Sequence, residues 1–449
     1  MKITFCGASE RVTGSNYLVD TGNIKFLVDC GLFQGSIEAD KQNWDDFLYD
    51  PKQIKFVLIT HSHIDHIGRL PLLYKRGFRG KIYATRPTAE FCRIFLEDNC
   101  KIFSEMASGI GMEKLYEQTD VDSTMKLFES YDYYQKFEPE KGIEIKFYDA
   151  GHILGSTIIE IKANKKTLVF SGDLGNPPVP ILKDTDFIDK SDYVVMESTY
   201  GDRNHEPFEE RELRLERIIE ETVKDNGVLL IPAFAMERTQ EIIFELNNLI
   251  KHGRINKIPI YLDSPLAMKA TEIYKKYSDY FDDEAKKLIE SGHDFFQFPE
   301  LKFIKSVEES KEIDHTTGSK IIIAGSGMST GGKILFHEKR YLSEPTTRLL
   351  IIGYQVKGTL GRNLQDGAKN INILGENIQV NAKIEIIDSY SAHADQDRLL
   401  YWVSKFTKSI KKIFIVHGEQ IAENAILHQI EAKEGISVYI PKFGETVEL

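Results

Sequence analysis

Short runs of branched and aromatic apolar residues recur along the chain, separated by stretches in which apolar residues return every three or four positions. The runs at 25–29, 56–60, 81–84, 167–171, 193–197, 228–232, 258–263, 320–324, 348–353, 383–387 and 412–416 predict strands. The intervening 3.6-period patterns at 207–225, 237–251 and 396–406 predict helices. Strands that alternate with helices of this length predict α/β layers. The stretch 91–135 reads as helical and polar, and is a candidate cover for a site. No internal repeat or low-complexity tract interrupts the pattern.

Composition narrows the class. A chain of 449 residues exceeds what one core usually organises, so two domains are expected. Hydrophobic and charged fractions of 41% and 28% are those of a globular protein that dissolves in water. No apolar run reaches membrane-spanning length, and the first residues read as a strand rather than a signal segment. The four cysteines (Cys6, Cys30, Cys92 and Cys100) are sparse and lack CxxC spacing, so reduced thiols in a cytoplasmic protein are expected. A net charge of −12 argues against a broadly basic nucleic-acid surface, although it leaves room for a strand held in a cleft.

The densest chemistry is His61-Ser62-His63-Ile64-Asp65-His66, directly after an apolar strand. Loops at the C-terminal ends of strands are where open α/β folds place their sites. Three imidazoles and a carboxylate supply borderline nitrogens and a hard oxygen, a set that suits zinc. In an extended turn, His61 and His63 can reach one ion while Asp65 and His66 reach a second. Further donors stand at other strand ends: His152 in Gly151–Ser156, Asp173 in Ser171–Gly175, and His417 in Val416–Glu419. Each alone would read as a structural residue; with the first cluster they complete two coordination shells. Donors that share one site belong to one domain, so the long span between Asp173 and His417 reads as an insertion with its own α/β core.

As an ordered set, these motifs resemble the metallo-β-lactamase superfamily and, within it, the β-CASP nucleases. The resemblance also rests on Gly7-Ala8-Ser9, Leu27–Gly31, Met196-Glu197-Ser198-Thr199-Tyr200-Gly201, Ala324-Gly325-Ser326-Gly327-Met328 and Ser391-Ala392-His393-Ala394-Asp395. It implies an αββα lactamase-like domain at 1–201 and 391–449, interrupted by a β-CASP domain at 202–390, with substrate entering between them. It further implies two zinc ions: one on His61, His63 and His152, the other on Asp65, His66 and His417, with Asp173 bridging. Asp29 would orient the histidine loop. A hydroxide held between the metals would attack phosphorus, and His393, held by Glu197, would protonate the leaving oxygen, making Asp65, His393 and Glu197 the catalytic residues.

The implied activity is that of a zinc-dependent ribonuclease acting on single-stranded RNA in processing or decay. A hydrolase of small substrates and a DNA-directed β-CASP nuclease stand as alternatives. His63 stands where di-iron oxidoreductases of the superfamily carry Glu, and His417 stands where the DNA-processing branch usually lacks a histidine. No counterpart of the N-terminal KH modules of many archaeal members is expected, and a homo-oligomer is left open.

The segment Ala324–Lys333 follows a strand and should open a helix, so its backbone N–H groups suit an anion. It nearly matches a P-loop, but Ile334 replaces the required Ser or Thr, so an RNA phosphate fits better than ATP. A tight strand-to-helix turn is the plainer reading. Ser326, Gly327, Lys333 and Arg362 are candidate phosphate contacts. Arg69, Arg76, Arg79, Lys81 and Arg86 are a candidate basic rim. The other histidines, among them His337, read as surface or structural residues.

Overall fold

The computed structural model describes residues 1–110, 113–406 and 410–449. The chain divides into two compact units, Met1–Asn204 with His393–Leu449, and His205–Ala392. Among the described residues no helix is long and apolar enough to cross a membrane.

The first unit is built on two seven-stranded sheets. One runs in the order Thr446–Glu448, Lys2–Phe5, Tyr17–Asp20, Lys25–Val28, Ile54–Leu58, Lys81–Ala84 and Phe128–Ser130. The other runs Val438–Tyr439, Lys412–Ile415, Tyr193–Met196, Lys166–Phe170, Thr157–Ala163, Ile143–Asp149 and Lys136–Glu140. The period-2 alternation of side chains explains the layering. Phe26, Val28, Phe56 and Leu58 point inward and meet Phe147, Ile159, Ile161, Phe170 and Phe414 of the second sheet. Their neighbours Leu27, Val57 and Ile59 point outward, under a helical layer that includes Leu73, Cys92 and Leu96. On the far side, Val169, Val194, Ile413 and Ile415 pack against Leu399, Trp402, Ile426 and Ile430. Because both faces of these strands are covered, they read as continuous apolar runs. Each fully buried large side chain contributes about 1.5–3 kcal/mol of transfer free energy.

The 91–135 reading needs correction. Arg86–Ile110 and Gln118–Met125 are helices, but Phe128–Ser130 is an edge strand paired with Lys81–Ala84. Nor is the first helix polar: Cys92, Leu96, Cys100 and Phe103 recur at helical spacing and are buried against the sheet. Isolated apolar residues on a long amphipathic helix were outvoted, in sequence, by their charged neighbours. Residues 111 and 112 of this stretch lie outside the described residues.

The second unit has a six-stranded, all-parallel sheet in the order Leu301–Phe303, Ile260–Asp263, Lys320–Ala324, Val228–Pro232, Arg348–Ile351 and Lys383–Ile386. Its core joins Leu230, Ile322, Leu349 and Ile351 to Tyr341, Leu342 and Leu364.

A candidate metal centre

The histidine cluster is held by a backbone clamp. After the Ile54–Leu58 strand, the Thr60 N–H and hydroxyl both donate to Asp29, each at 2.8 Å. The chain then turns through His61 and His63 into the one-turn helix Ile64–Ile67. Ser15, Cys30 and Leu32 N–H groups donate to the carbonyls of Asp65, His66 and Ile64 at 2.8–3.1 Å. Gly31 is required here, since a Cβ at that position would sit 1.5 Å from the Asp65 carbonyl oxygen. Asp29 itself adopts φ +59° and brings one carboxylate oxygen within 2.7 Å of His66 Nδ1. That bond leaves Nε2 as the outward-facing donor of His66.

The other donors arrive from the second sheet. His152 follows Ile143–Asp149, Asp173 follows Lys166–Phe170, and His417 follows Lys412–Ile415. The loops of His152 and Asp173 are in van der Waals contact: a Cβ on Gly175 would meet the Gly151 carbonyl at 2.0 Å. His152 is anchored through its N–H to Ser156 Oγ at 3.2 Å.

These loops bring seven donors together in two groups. In the first, His61 Nε2 stands 3.0 Å from His63 Nδ1 and 3.3 Å from Asp173 Oδ2. His152 Nε2 stands 3.2 Å from His63 Nδ1 and 3.6 Å from Asp173 Oδ2. In the second, His66 Nε2 is 3.3 Å from His417 Nε2 and 3.4 Å from Asp173 Oδ1. Asp65 Oδ2 lies 3.2 Å from His417 Nε2. Asp173 belongs to both groups, one oxygen to each.

Two ligands at 2.0–2.1 Å on a tetrahedral ion stand about 3.3 Å apart. The observed spacings match that edge. Asp173 Oδ1 is buried and accepts no hydrogen bond, an arrangement that is unfavourable unless a cation completes it. The donor set therefore fits divalent metal.

Local electrostatics agree for the imidazoles of the first group. Burial, together with neighbouring imidazoles, lowers the pKa of His61, His63 and His152 and keeps them neutral, as ligands must be. Burial opposes ionisation of Asp173 and Asp65, but His66 and His417 beside them hold both carboxyls below the usual range. Burial likewise opposes protonation of His66, where Asp173, Asp29 and Asp65 overcome it and raise the pKa.

His393 and Glu197 stand beside the donors. His393 Nδ1 is 3.2 and 3.3 Å from the two Glu197 oxygens and 3.9 Å from Asp173 Oδ2. Glu197 also accepts from the N–H groups of Leu174 at 2.6 Å and Thr199 at 3.3 Å. Burial works against the imidazolium, yet the charge and hydrogen bond of Glu197, with Asp173 and Asp65 behind it, raise the His393 pKa to about 9. His393 is fixed to the Asp173 loop by a bridge to Gly175 and by the Ala394 N–H donating to the Leu174 carbonyl at 2.8 Å.

Three bracing residues had no assigned part in the sequence reading: Thr60, Ser171, whose hydroxyl accepts from Glu197 N–H at 3.0 Å, and Thr199. Thr60 precedes His61, Ser171 lies two residues before Asp173 and Thr199 two residues after Glu197, and that proximity is the signal that could have raised them.

The second unit holds the remaining candidates. Ser326 Oγ accepts from Thr330 N–H at 2.9 Å, closing its own loop, and Gly327 is pressed on Phe234, where a Cβ would sit 2.6 Å from the ring. The helix Ile334–Tyr341 follows this loop directly. Lys333 Nζ lies 3.7 Å from Asp263, and Arg362 Nε donates to both oxygens of Asp366 at 2.9 and 3.0 Å. His337 is buried, 2.9 Å from Asp263. Of the candidate basic rim, burial removes Arg69, and the others have local partners. Arg69 is buried over the Phe47 ring at 4.3 Å and donates to the Asp45 carbonyl. Arg76, Lys81 and Arg86 pair with Asp46, Glu129 and Asp132, while Arg79 donates to the carbonyls of Tyr74 and Phe78. Lys81 opens its strand and so lies at the end opposite the site.

Comparison with known proteins agrees with this geometry. Residues 18–199 match the metallo-beta-lactamase superfamily domain, 239–364 the Beta-Casp domain, and 377–441 the Zn-dependent metallo-hydrolase RNA specificity domain. The chain is 37% identical to Ribonuclease TTHA0252 of Thermus thermophilus, over 100% of both chains. It is 33% identical to an RNase J-like protein of Methanocaldococcus jannaschii, over 98% of each. A solved protein of unknown function from Enterococcus faecalis shares the fold, at 12% identity and a TM-score of 0.55 over 100% of this chain and 99% of that one. With three matched domains and a full-length relative above 30% identity, the chain belongs to the β-CASP family of metal-dependent hydrolases in the metallo-β-lactamase superfamily.

Proposed function

We propose that this chain is a zinc-dependent ribonuclease that hydrolyses phosphodiester bonds of single-stranded RNA. The observation that carries the reading is the convergence of seven donors into two groups, with Asp173 in the first and one of its oxygens 3.4 Å from His66 of the second, beside a His393–Glu197 pair. His61, His63 and His152 would hold one ion, Asp65, His66 and His417 the other, with Asp173 on both. Bound there, zinc lowers the pKa of coordinated water toward about 7 and offsets charge on phosphate oxygens. The protein supplies the rest. Asp29 and Thr60 orient the histidine loop. His393 would supply the proton: Glu197 favours its charged form and faces its Nδ1–H, so the transferable proton would be on Nε2, available to the departing oxygen. Glu197, held by two backbone N–H groups, keeps that ring in place after the proton leaves. The preference for RNA draws on the matched RNA specificity domain and on the named activity of the Thermus relative. Ser326, Gly327, Lys333 and Arg362 are proposed contacts to substrate phosphates.

The test combines metal analysis of the purified protein with cleavage of end-labelled single-stranded RNA and matched DNA. About two zinc ions per chain and metal-dependent cutting of RNA but not DNA are expected, and the label pattern separates internal from end-directed cutting. Bound zinc without cleavage of any RNA, or preferential cutting of DNA, would overturn the reading.

A further inference from the structure

His417 is the donor with the least ordinary backbone. It adopts φ +53°, in the left-handed region that a side chain with a Cβ rarely enters. Three hydrogen bonds hold it there. Its N–H donates to the Ala8 carbonyl at 2.7 Å, and its carbonyl accepts from Ser198 N–H at 3.3 Å and from the Thr199 hydroxyl at 3.2 Å. The same Thr199 oxygen lies 3.2 Å from His417 Nδ1.

A threonine hydroxyl carries one proton, and a carbonyl oxygen can only accept. Both contacts can be hydrogen bonds in just one way: the hydroxyl donates to the carbonyl and accepts from Nδ1–H. The reverse assignment leaves two oxygens facing each other at 3.2 Å with no proton between them. Asp173 Oδ1, at 3.8 Å from Nδ1, is beyond hydrogen-bond reach. A neutral ring protonated on Nδ1 carries its lone pair on Nε2, the atom that stands 3.2 Å from Asp65 and 3.3 Å from His66.

We propose that the Thr199 hydroxyl is a positioning group that holds His417 in its Nδ1–H form and turns the Nε2 lone pair onto the metal position shared with Asp65 and His66. This rests on the reading of His417 as a metal ligand. Thr199 is not among the seven donors and acts through His417. Its N–H donates to Glu197, so one residue braces both a metal ligand and the partner of the proton donor.

The test measures zinc affinity by competition with a chromophoric chelator for the full chain and for Thr199→Val, Thr199→Ser, His417→Ala and the Thr199→Val/His417→Ala double variant. Thr199→Val keeps the side-chain shape and removes the hydroxyl; the zinc on Asp65, His66 and His417 should loosen about 10–100-fold, the usual effect of losing such a bracing bond. Thr199→Ser should recover most of that affinity. In the His417→Ala background, Thr199→Val should add nothing, because its effect passes through the absent ring. Melting curves of the metal-free proteins show that each variant folds. Wild-type zinc affinity in Thr199→Val would overturn the inference, as would an undiminished loss in the His417→Ala background. Wild-type affinity in His417→Ala itself would show instead that His417 is no ligand, and the inference would fall with that reading.

Discussion

The two units place loops at the C-terminal ends of parallel strands, yet load them differently. In the first unit the loops after Ile54–Leu58, Lys166–Phe170 and Lys412–Ile415 carry side-chain donors packed 3.0–3.4 Å from one another. In the second unit the Gly325–Gly332 loop presents mostly backbone, and its charged neighbours already have partners in Asp263 and Asp366. The first arrangement leaves buried charge for an outside cation to balance; the second is balanced from within. A site built to hold metal must leave its donors uncompensated by protein, whereas a surface for a polyanion can keep its cations in exposed pairs that exchange at little cost.

Breaking the uncompensated cluster should have the largest effect. Asp173→Ala removes the carboxylate shared by both donor groups, so cleavage should be abolished and zinc content should fall at both positions, as elemental analysis would register. Retention of two tightly bound ions would contradict its bridging place. Next comes His393→Ala, expected to keep its zinc and slow cleavage by about 10²–10⁴-fold. Cutting at the wild-type rate would remove His393 from proton transfer. Asp29→Asn removes the charge behind the His66 ring and one of the two acceptor oxygens shared by Thr60 and His66, and should weaken zinc binding about 10–100-fold while the chain still folds, measurable by chelator competition.

The second unit should respond through stability rather than metal. Burial raises the Glu338 carboxyl to about 7, although the Ser329 hydroxyl donates to it. The folded state thus holds a proton that the unfolded chain releases near the ordinary value of about 4.3. Stability from this group is full below that value and is lost as pH rises through about 7. Glu338→Gln should flatten that part of the pH dependence in urea melts, and an unchanged slope would show that the carboxyl does not titrate there. The smallest effect belongs to Arg362→Ala: zinc content should be unchanged, KM for RNA should rise a few-fold, and the salt dependence of binding should weaken slightly. Loss of metal in that variant would show that the two regions are not separable in this way.

The HSHIDH run was legible because its four donors lie within six residues, and a single loop after an apolar strand delivers them all. The runs of branched apolar residues likewise foretold α/β layering and most strand positions, since strands covered on both faces are apolar throughout. Arg69 shows where this fails: cationic side chains read as a rim, but this guanidinium lies over Phe47, and nothing local distinguishes the two fates. Thr199 stands near Glu197 in the chain, but its contact with His417 carried no local signal, because 218 positions separate the two.

By itself, the sequence determined the chemistry on offer: imidazoles and carboxylates at strand ends, apolar runs that must be buried, and glycines where loops need close approach. The tertiary structure decided which donors share a site, which nitrogen of each ring faces it, and which charges are left uncompensated. The physical reason is range. Strand patterns and turn chemistry act over a few residues, whereas the spacing between His66 and His417 is set only when two seven-stranded sheets pack face to face.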